Sequence, residues 1–232
     1  MSYKLLSYPI GVDAPAWPGA CRPEIEQKVF VSKGAACNEW NYKLRNHVGT
    51  HMDAPNHHLE NGLKISQLPL ERFIYDHPFI IDIPKGASEM ITKEELEPYA
   101  EEIARADLLM LRTGQWKWHR DNVEDYARKG AAVSSGAAEY LVKNFKNLKS
   151  VILDFVSLCT YVDMNRTDGK TPDGDIAHRW MLGKWTENFI CIIEDADLSG
   201  IENGHIEQVI SLPLFVEDID SAQVSVLAKI ID

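Results

Sequence analysis

Cysteine is scarce in this chain and never paired in sequence: Cys21, Cys37, Cys159 and Cys191 are far apart and form no C-x-x-C. That spacing excludes a zinc ribbon and a dithiol redox motif, and it reads as reduced, mostly buried thiols. None sits in the electropositive setting that activates a thiol. Positive charge is short as well. Lys and Arg number 24 against 35 Asp and Glu, a formal net charge of -11, which argues against phosphate backbones, because that affinity comes from cationic side chains. No nucleic-acid partner is expected. The longest apolar runs, such as Phe189 to Ile193, fall far below the roughly 20 residues a membrane helix needs. The N-terminus, MSYKLLSYPIGVDAP, meets polar residues and proline too early for a secretory core. A soluble, cytoplasmic protein with no membrane partner is the expectation. Gly/Ser linkers, low-complexity tracts and internal repeats are missing too, so residues 1–232 are read as a single domain.

What is present suits an ordinary globular core, with 45% hydrophobic and 25% charged residues. Strand patterns occur at Lys28 to Val31, across Trp40, Tyr42 and Leu44, and at Pro78 to Ile83. The character then changes. TKEELEPYAEEIA places Thr92 as a helix cap with Glu95 three residues on, and Pro98 divides that helix. A strand at Asp107 to Arg112, helices near Asp121 to Lys129 and Ser135 to Phe145, and a strand at Val151 to Val156 follow. A helix near Asp175 and strands at Phe189 to Glu194 and Ala222 to Ile230 complete the series. Alternating strands and helices predict a compact α/β domain with a mixed β-sheet.

The segment from His47 to His58, HVGTHMDAPNHH, holds four of the eight histidines together with Asp53. Uniform placement would put fewer than one histidine there. Imidazole plus carboxylate is a ligand set for zinc, iron or manganese. On an unbroken strand His47 and His51 would stand about 13 Å apart, too far to share one ion. A helix is opposed by Gly49 and Pro55. The remaining geometry is a strand end that turns at Gly49, where a missing Cβ permits unusual dihedrals. Three protein ligands leave a coordination position open, the mark of a catalytic rather than a structural site, and hydrolysis is the simplest chemistry for it. His57, just beyond the ligands, is placed to move protons, and His58 is expected to face away.

The segment resembles, position for position, the H-x-G-T-H-x-D-x-P-x-H signature of the cyclase family that includes bacterial kynurenine formamidases and isatin hydrolases. LMLRTGQW from Leu109 resembles that family's strand ending in an R-T-G turn, LDFVSL around Asp154 its later strand, and HRWMLG from His178 with FICIIE ending at Glu194 its second metal-binding stretch. The resemblance implies a fold of the swivelling β/β/α type and a homodimer or larger homo-oligomer. It also implies His47, His51 and Asp53 as first metal ligands, His178 and Glu194 as the remaining ones, and His57 as the catalytic proton-transfer histidine. The expected cofactor is zinc (Zn2+), one or two ions, or manganese (Mn2+). KWTEN, between the last two stretches, looks longer than in the family, which makes Glu187 the competitor of Glu194; rigid elements hold ligands better, which favours Glu194.

The activity so implied is metal-dependent hydrolysis of a C–N bond in a small formamide, amide or cyclic amide, as in an arylformamidase. Its alternatives are isatin-like ring opening, a metal-dependent lyase or cyclising reaction, and a metal-dependent small-molecule binding protein without turnover. Trp17, Trp116 and Trp118 suit either an aromatic substrate pocket or the core and interfaces, and are read as core or interface residues. His77, His119 and His205 carry no partner pattern, and Arg112 is read as the partner of a structural carboxylate.

Overall fold

The computed structural model describes residues 2–231. In chain order its strands are β1 (Ser2–Leu5), β2 (Glu24–Val29), β3 (Glu39–Lys43), β4 (His51–Asp53), β5 (Ile74–Tyr75), β6 (Pro78–Asp82), β7 (Met90–Ile91), β8 (Leu108–Arg112), β9 (Ala132–Val133), β10 (Ser150–Leu153), β11 (Cys191–Glu194), β12 (Ile206–Pro213) and β13 (Ser221–Ile230). The helices are α1 (Lys93–Leu96), α2 (Ala100–Arg105), α3 (Trp118–Asp121), α4 (Val123–Arg128), α5 (Ser135–Asn144), α6 (Tyr161–Met164) and α7 (Asp173–Met181). The α/β class and the mixed sheet are borne out.

The main sheet runs β5-β12-β13-β4-β11-β10-β8-β6, with β1 also paired to β13. Its two halves differ in hand of pairing. From β11 to β6 neighbouring strands are parallel, each reached through a crossover that carries helix. From β5 to β13 they are antiparallel. β4 joins the halves, antiparallel to β11 on one side and to β13 on the other. Because β5 and β6 end opposite edges of the sheet yet are two residues apart in sequence, the sheet must curl until its edges approach, close to a barrel.

Two apolar cores follow from that curl. Leu109, Leu111, Val151, Leu153 and Ile192 face α5 and α7 with Leu141, Val142, Ala177 and Met181. Alternate residues of the same strands, Leu108, Met110, Ile152 and Ile193, face inward with Met52, Phe73, Tyr75 and Val226. Burial on both faces explains why β8, β10 and β11 are written as continuous apolar runs.

Most of the expected elements are present. The Thr92 capping box forms, and Pro98 lies in a short 3-10 turn between α1 and α2, dividing the helix as expected. The first third departs from expectation. The strand placed at Lys28 to Val31 is Glu24–Val29, with Val31–Lys33 a 3-10 turn, and the β2–β3 hairpin stands apart from the main sheet. Cys159 and Cys191 are buried, but Cys21 and Cys37 are exposed, so the expectation of mostly buried thiols holds for only half of them.

Candidate metal centre and active site

The site begins at Gly49, whose φ of 71° lies in the left-handed region. That conformation favours glycine, and a Cβ there would sit 2.9 Å from Ile10 Cγ1 and press its side chain aside. The turn brings the His47 ring within 5.1 Å of the His51 ring, centroid to centroid, where a straight strand would have held them apart. After β4, Pro55–His57 forms a 3-10 turn that brings the His57 ring to 4.3 Å from the His47 ring. The expected hinge is present, and a second one follows it.

β4 places His51 and Asp53 on one sheet face, and its register sets Glu194 directly opposite His51. His51 Nε2 lies 3.3 Å from Glu194 Oε2 and 3.7 Å from Asp53 Oδ1. From the helical layer α7 brings His178 in, its Nε2 3.6 Å from Glu194 Oε1. Glu194 is pinned from behind by the Leu158 amide and the Ser157 hydroxyl, which donate to Oε1. Glu187 is exposed. The structure therefore brings His47, His51, Asp53, His178 and Glu194 together with His57, and leaves Glu187 outside.

Each of these histidines has one ring nitrogen committed. A carbonyl or carboxylate oxygen only accepts, so the nitrogen facing it carries the proton. His51 Nδ1 donates to Gly49 O at 2.8 Å, and His178 Nδ1 donates to Gly174 O at 2.8 Å. Asp220 Oδ2 accepts from His57 Nδ1 at 2.7 Å and from His47 Nε2 at 3.0 Å. The other nitrogens turn toward the carboxylates: His47 Nδ1 lies 3.1 Å from Asp53 Oδ1, and His57 Nε2 lies 4.0 Å from Asp53 Oδ2. This is how metal-binding imidazoles are oriented by their outer partners.

The donor set fits a cation on a separate ground. His51 Nε2 and both carboxylate oxygens of Asp53 are buried with no hydrogen-bond partner in good geometry. Buried polar atoms without partners are costly, and a carboxylate at 0% exposure is a poor place to leave two oxygens idle. A cation satisfies all three atoms. Above them opens a cleft of about 450 Å³, walled by Trp17, Val156 and Met164, with His47, His57 and His178 among its lining residues.

Residues 5–158 match the family described as Cyclase: Putative cyclase. The chain belongs to this family. A kynurenine formamidase of Bacillus thuringiensis subsp. konkukian is 28% identical to it over 229 residues, 97% of this chain and 95% of that protein. A Haemophilus influenzae protein of unassigned function is 40% identical over 119 residues, 51% of this chain and 82% of that one. Among solved structures, isatin hydrolase A from Labrenzia aggregata superposes with a TM-score of 0.79 at 18% identity, covering 100% of this chain and 94% of the other. A predicted metal-dependent hydrolase from Bacillus stearothermophilus gives 0.71 at 19%, covering 98% and 97%. The structural likenesses establish the fold of this cyclase-family chain.

Electrostatics within the cyclase-family site follow from burial and pairing. Burial works against charge on His47, yet its contacts with Asp220 and Asp53 outweigh it and push the imidazole up to about 10. Burial would raise Asp53, but His57, His47 and His51 around it hold the carboxyl well below the usual range. Glu194 is likewise held low against burial by His178 and His51. His58 moves the opposite way, to about 3, through burial and the neighbouring His178 and His57. Cys159 lines the cleft, but burial pushes its thiol up to about 12, away from the electropositive setting of a reactive cysteine.

Three readings of the sequence need correction or completion. His58 does not face away: it lines the cleft and stacks on His178, ring centroids 4.9 Å apart at 23°. Its Nδ1 faces Asp175 Oδ1 at 3.5 Å. Trp17 lines the cleft as well. His119, featureless in sequence, stacks on Tyr8 at 3.4 Å and places Nε2 3.3 Å from buried Asp195. Asp220, which orients two histidines, went unread because nothing local distinguishes it in EDID. Arg112 pairs with Asp82 and donates to the Leu198 and Ile201 carbonyls, the structural role expected of it.

Proposed function

We propose that this protein is a metal-dependent hydrolase that opens the C–N bond of a formamide, an amide or a small cyclic amide, acting as an arylformamidase does. The observation that carries the reading is the His57–Asp220 pair set beside three partnerless buried ligand atoms, one on His51 and two on Asp53, next to an open cleft that His51 and His57 line. His47, His51, Asp53, His178 and Glu194 would hold the metal. A zinc or manganese ion held there would supply Lewis acidity for a carbonyl and lower the pKa of a water. With Nδ1 committed to Asp220, His57 has only Nε2 free to hold and move a proton, as the general base and then the general acid toward a leaving nitrogen. Trp17, Val156 and Met164 offer an apolar wall for a ring-bearing substrate. The name of the Bacillus thuringiensis relative supports formamide as the first substrate class to try.

Isatin-like ring opening is the second reading, favoured by the 0.79 TM-score to isatin hydrolase A. Both reactions release a carboxylate, which a lyase or a cyclising enzyme would not. The test reloads metal-free protein with zinc or manganese and offers N-formyl anilines, simple amides and isatin-like rings, following the carboxylate formed. Metal-dependent turnover on a formyl aniline is expected. Undiminished turnover without metal, or none on any substrate, defeats the reading and in the second case favours a binding protein.

No helix among the described residues is long and apolar enough to cross a membrane. A cytoplasmic setting is proposed on the four unpaired thiols. A homodimer or larger homo-oligomer is proposed on the exposed Trp40 and Tyr42 of the β2–β3 hairpin, an apolar surface that a partner subunit would cover.

A further inference from the structure

The side of the cleft built by α6 and α7 offers a substrate hydrogen-bond acceptors and no cation. Asp175 lies on α7 three residues before His178, so one helix face carries both side chains to the cleft. Its Oδ2 accepts from Arg179 Nε at 3.0 Å. Oδ1 stands 3.5 Å from His58 Nδ1 and, among the described residues, has no hydrogen bond in good geometry. Asn165, directly after α6, donates through Nδ2 to Tyr161 O at 2.8 Å, which turns the amide so that Oδ1 is the atom without a partner there. Ser157 gives its proton to Glu194. The neighbouring cations point elsewhere: Arg166 to Asp163 and Asp168, and Arg128 to Glu124. Among the described residues no Lys or Arg lines the cleft.

We propose that the substrate is an arylamide whose non-reacting arm ends in a primary amine, and that Asp175 and Asn165 receive that arm. The proposal deepens the hydrolase reading above and rests on it. With the ring against Trp17, Val156 and Met164, an ammonium on the arm brings donors to two oxygens that lack them and a positive charge to the carboxylate of Asp175. Arg179, by holding Oδ2 from outside the cleft lining, fixes the direction of that carboxylate and leaves Oδ1 to the arm. A substrate whose arm ends in a carboxylate meets the opposite situation. Its charge loses water against two acceptors, with no Lys or Arg on the cleft wall to compensate, so the same groups that attract the amine reject the acid. Asp175 is thereby a specificity residue, distinct from the groups that hold the metal and move the proton.

The experiment offers zinc-loaded protein N-formyl anilines that carry an aminoethyl, an ethyl or a carboxyethyl arm, at the ortho, meta and para positions in turn. At the ring position with the highest kcat/KM, the aminoethyl compound is expected to exceed the ethyl one about 10–100-fold, the scale of one hydrogen bond to a charged group. The carboxyethyl compound should fall below both. Asp175→Asn should remove most of the aminoethyl-to-ethyl ratio, and a ratio read within one preparation is indifferent to any general loss of rate. A carboxyethyl compound turned over as well as the aminoethyl one, or an amine preference that survives Asp175→Asn, overturns the proposal. If Asp175→Asn does not fold, Arg179→Gln decides: freed of its competing cation, Asp175 should widen the ratio, and an unchanged ratio overturns the proposal as well. The hydrolase reading fails separately, by absence of turnover on every compound. Calorimetry with the same unhydrolysed compounds then tests the arm alone: tighter binding of the aminoethyl compound that depends on Asp175 supports the assignment, and equal binding ends it.

Discussion

Asp220 accepts the Nδ1 proton of His57 at 2.7 Å and so determines which nitrogen of that ring is free. The same oxygen accepts from His47 Nε2 at 3.0 Å, so one carboxylate orients a candidate ligand and the candidate proton carrier together. Asp220→Asn keeps the shape but lets an amide N–H face either ring, which favours the wrong tautomer. The expected loss in kcat is about 10–100-fold with KM little changed, the usual effect of disturbing an imidazole's outer partner. Unchanged kcat in Asp220→Asn would show that His57 is oriented by something else.

His57→Ala separates chemistry from metal binding. The carboxylate-bearing centre should keep its ion while the rate on a formyl aniline falls about 10²–10⁴-fold, the share that general acid–base catalysis contributes. Steady-state kinetics paired with metal analysis on one preparation checks both halves. A variant with full activity would remove His57 from the mechanism.

The two competing glutamates are told apart by metal content alone. Glu194 is buried opposite His51, and Glu187 is exposed. Asp53→Ala and Glu194→Ala should each weaken binding by more than about 100-fold, beyond the range seen for outer partners, and Glu187→Ala should bind like wild type. Metal loss in Glu187→Ala with retention in Glu194→Ala would reverse the assignment.

Metal affinity should climb with pH. Without a cation His47 is pushed up to about 10, so at neutral pH it carries a proton that a cation must displace. Each displaced proton changes apparent affinity about tenfold per pH unit, and the gain persists until pH passes about 10. The sign for stability is opposite. His47 contributes to folding of the metal-free protein fully below its ordinary value of 6.5, and that contribution fades as pH rises through about 10. Calorimetry in buffers of different ionisation enthalpy would report the released protons, and a pH-independent affinity would contradict the account.

Gly174 is a packing requirement with a functional address. A Cβ at this position would stand 2.1 Å from Cys159 Cβ, and the Gly174 carbonyl orients His178. Gly174→Ala must push the start of α7 away from Cys159. Overpacking of that kind costs about 1–3 kcal/mol, so a lower Tm is expected together with weaker metal binding, and a variant with wild-type values for both would refute the coupling.

Legibility in the sequence followed the range of the forces involved. The His47–Asp53 spacing was readable because a turn at Gly49 is a local event, dictated by dihedrals and chain reach. Strands β8, β10 and β11 were readable because burial on both faces writes an unbroken apolar run. Asp220 and His58 were not. Asp220 meets His57 only because β13 pairs with β4, a register that joins residues 221 and 53 and leaves no trace near either. His58 neighbours His57 in sequence, and alternation assigned it the opposite direction; the 3-10 turn at Pro55–His57 breaks that alternation. The hairpin β2–β3 misled for a related reason, since a strand pattern cannot say which sheet a strand will join.

Both strands that flank β4 lie far downstream of it. Asp53 pairs with Ile192 and Ser221, so a chain emerging from the ribosome carries β4 with two open edges until β11 and then β13 have been made. Early parallel strands can settle against their helices, but the ligand-bearing strand cannot find either neighbour before residue 191 has been made. Nascent chains arrested before residue 191 should therefore show no retained metal, and β13, by closing on β4, sets the moment at which this protein first becomes competent to hold an ion.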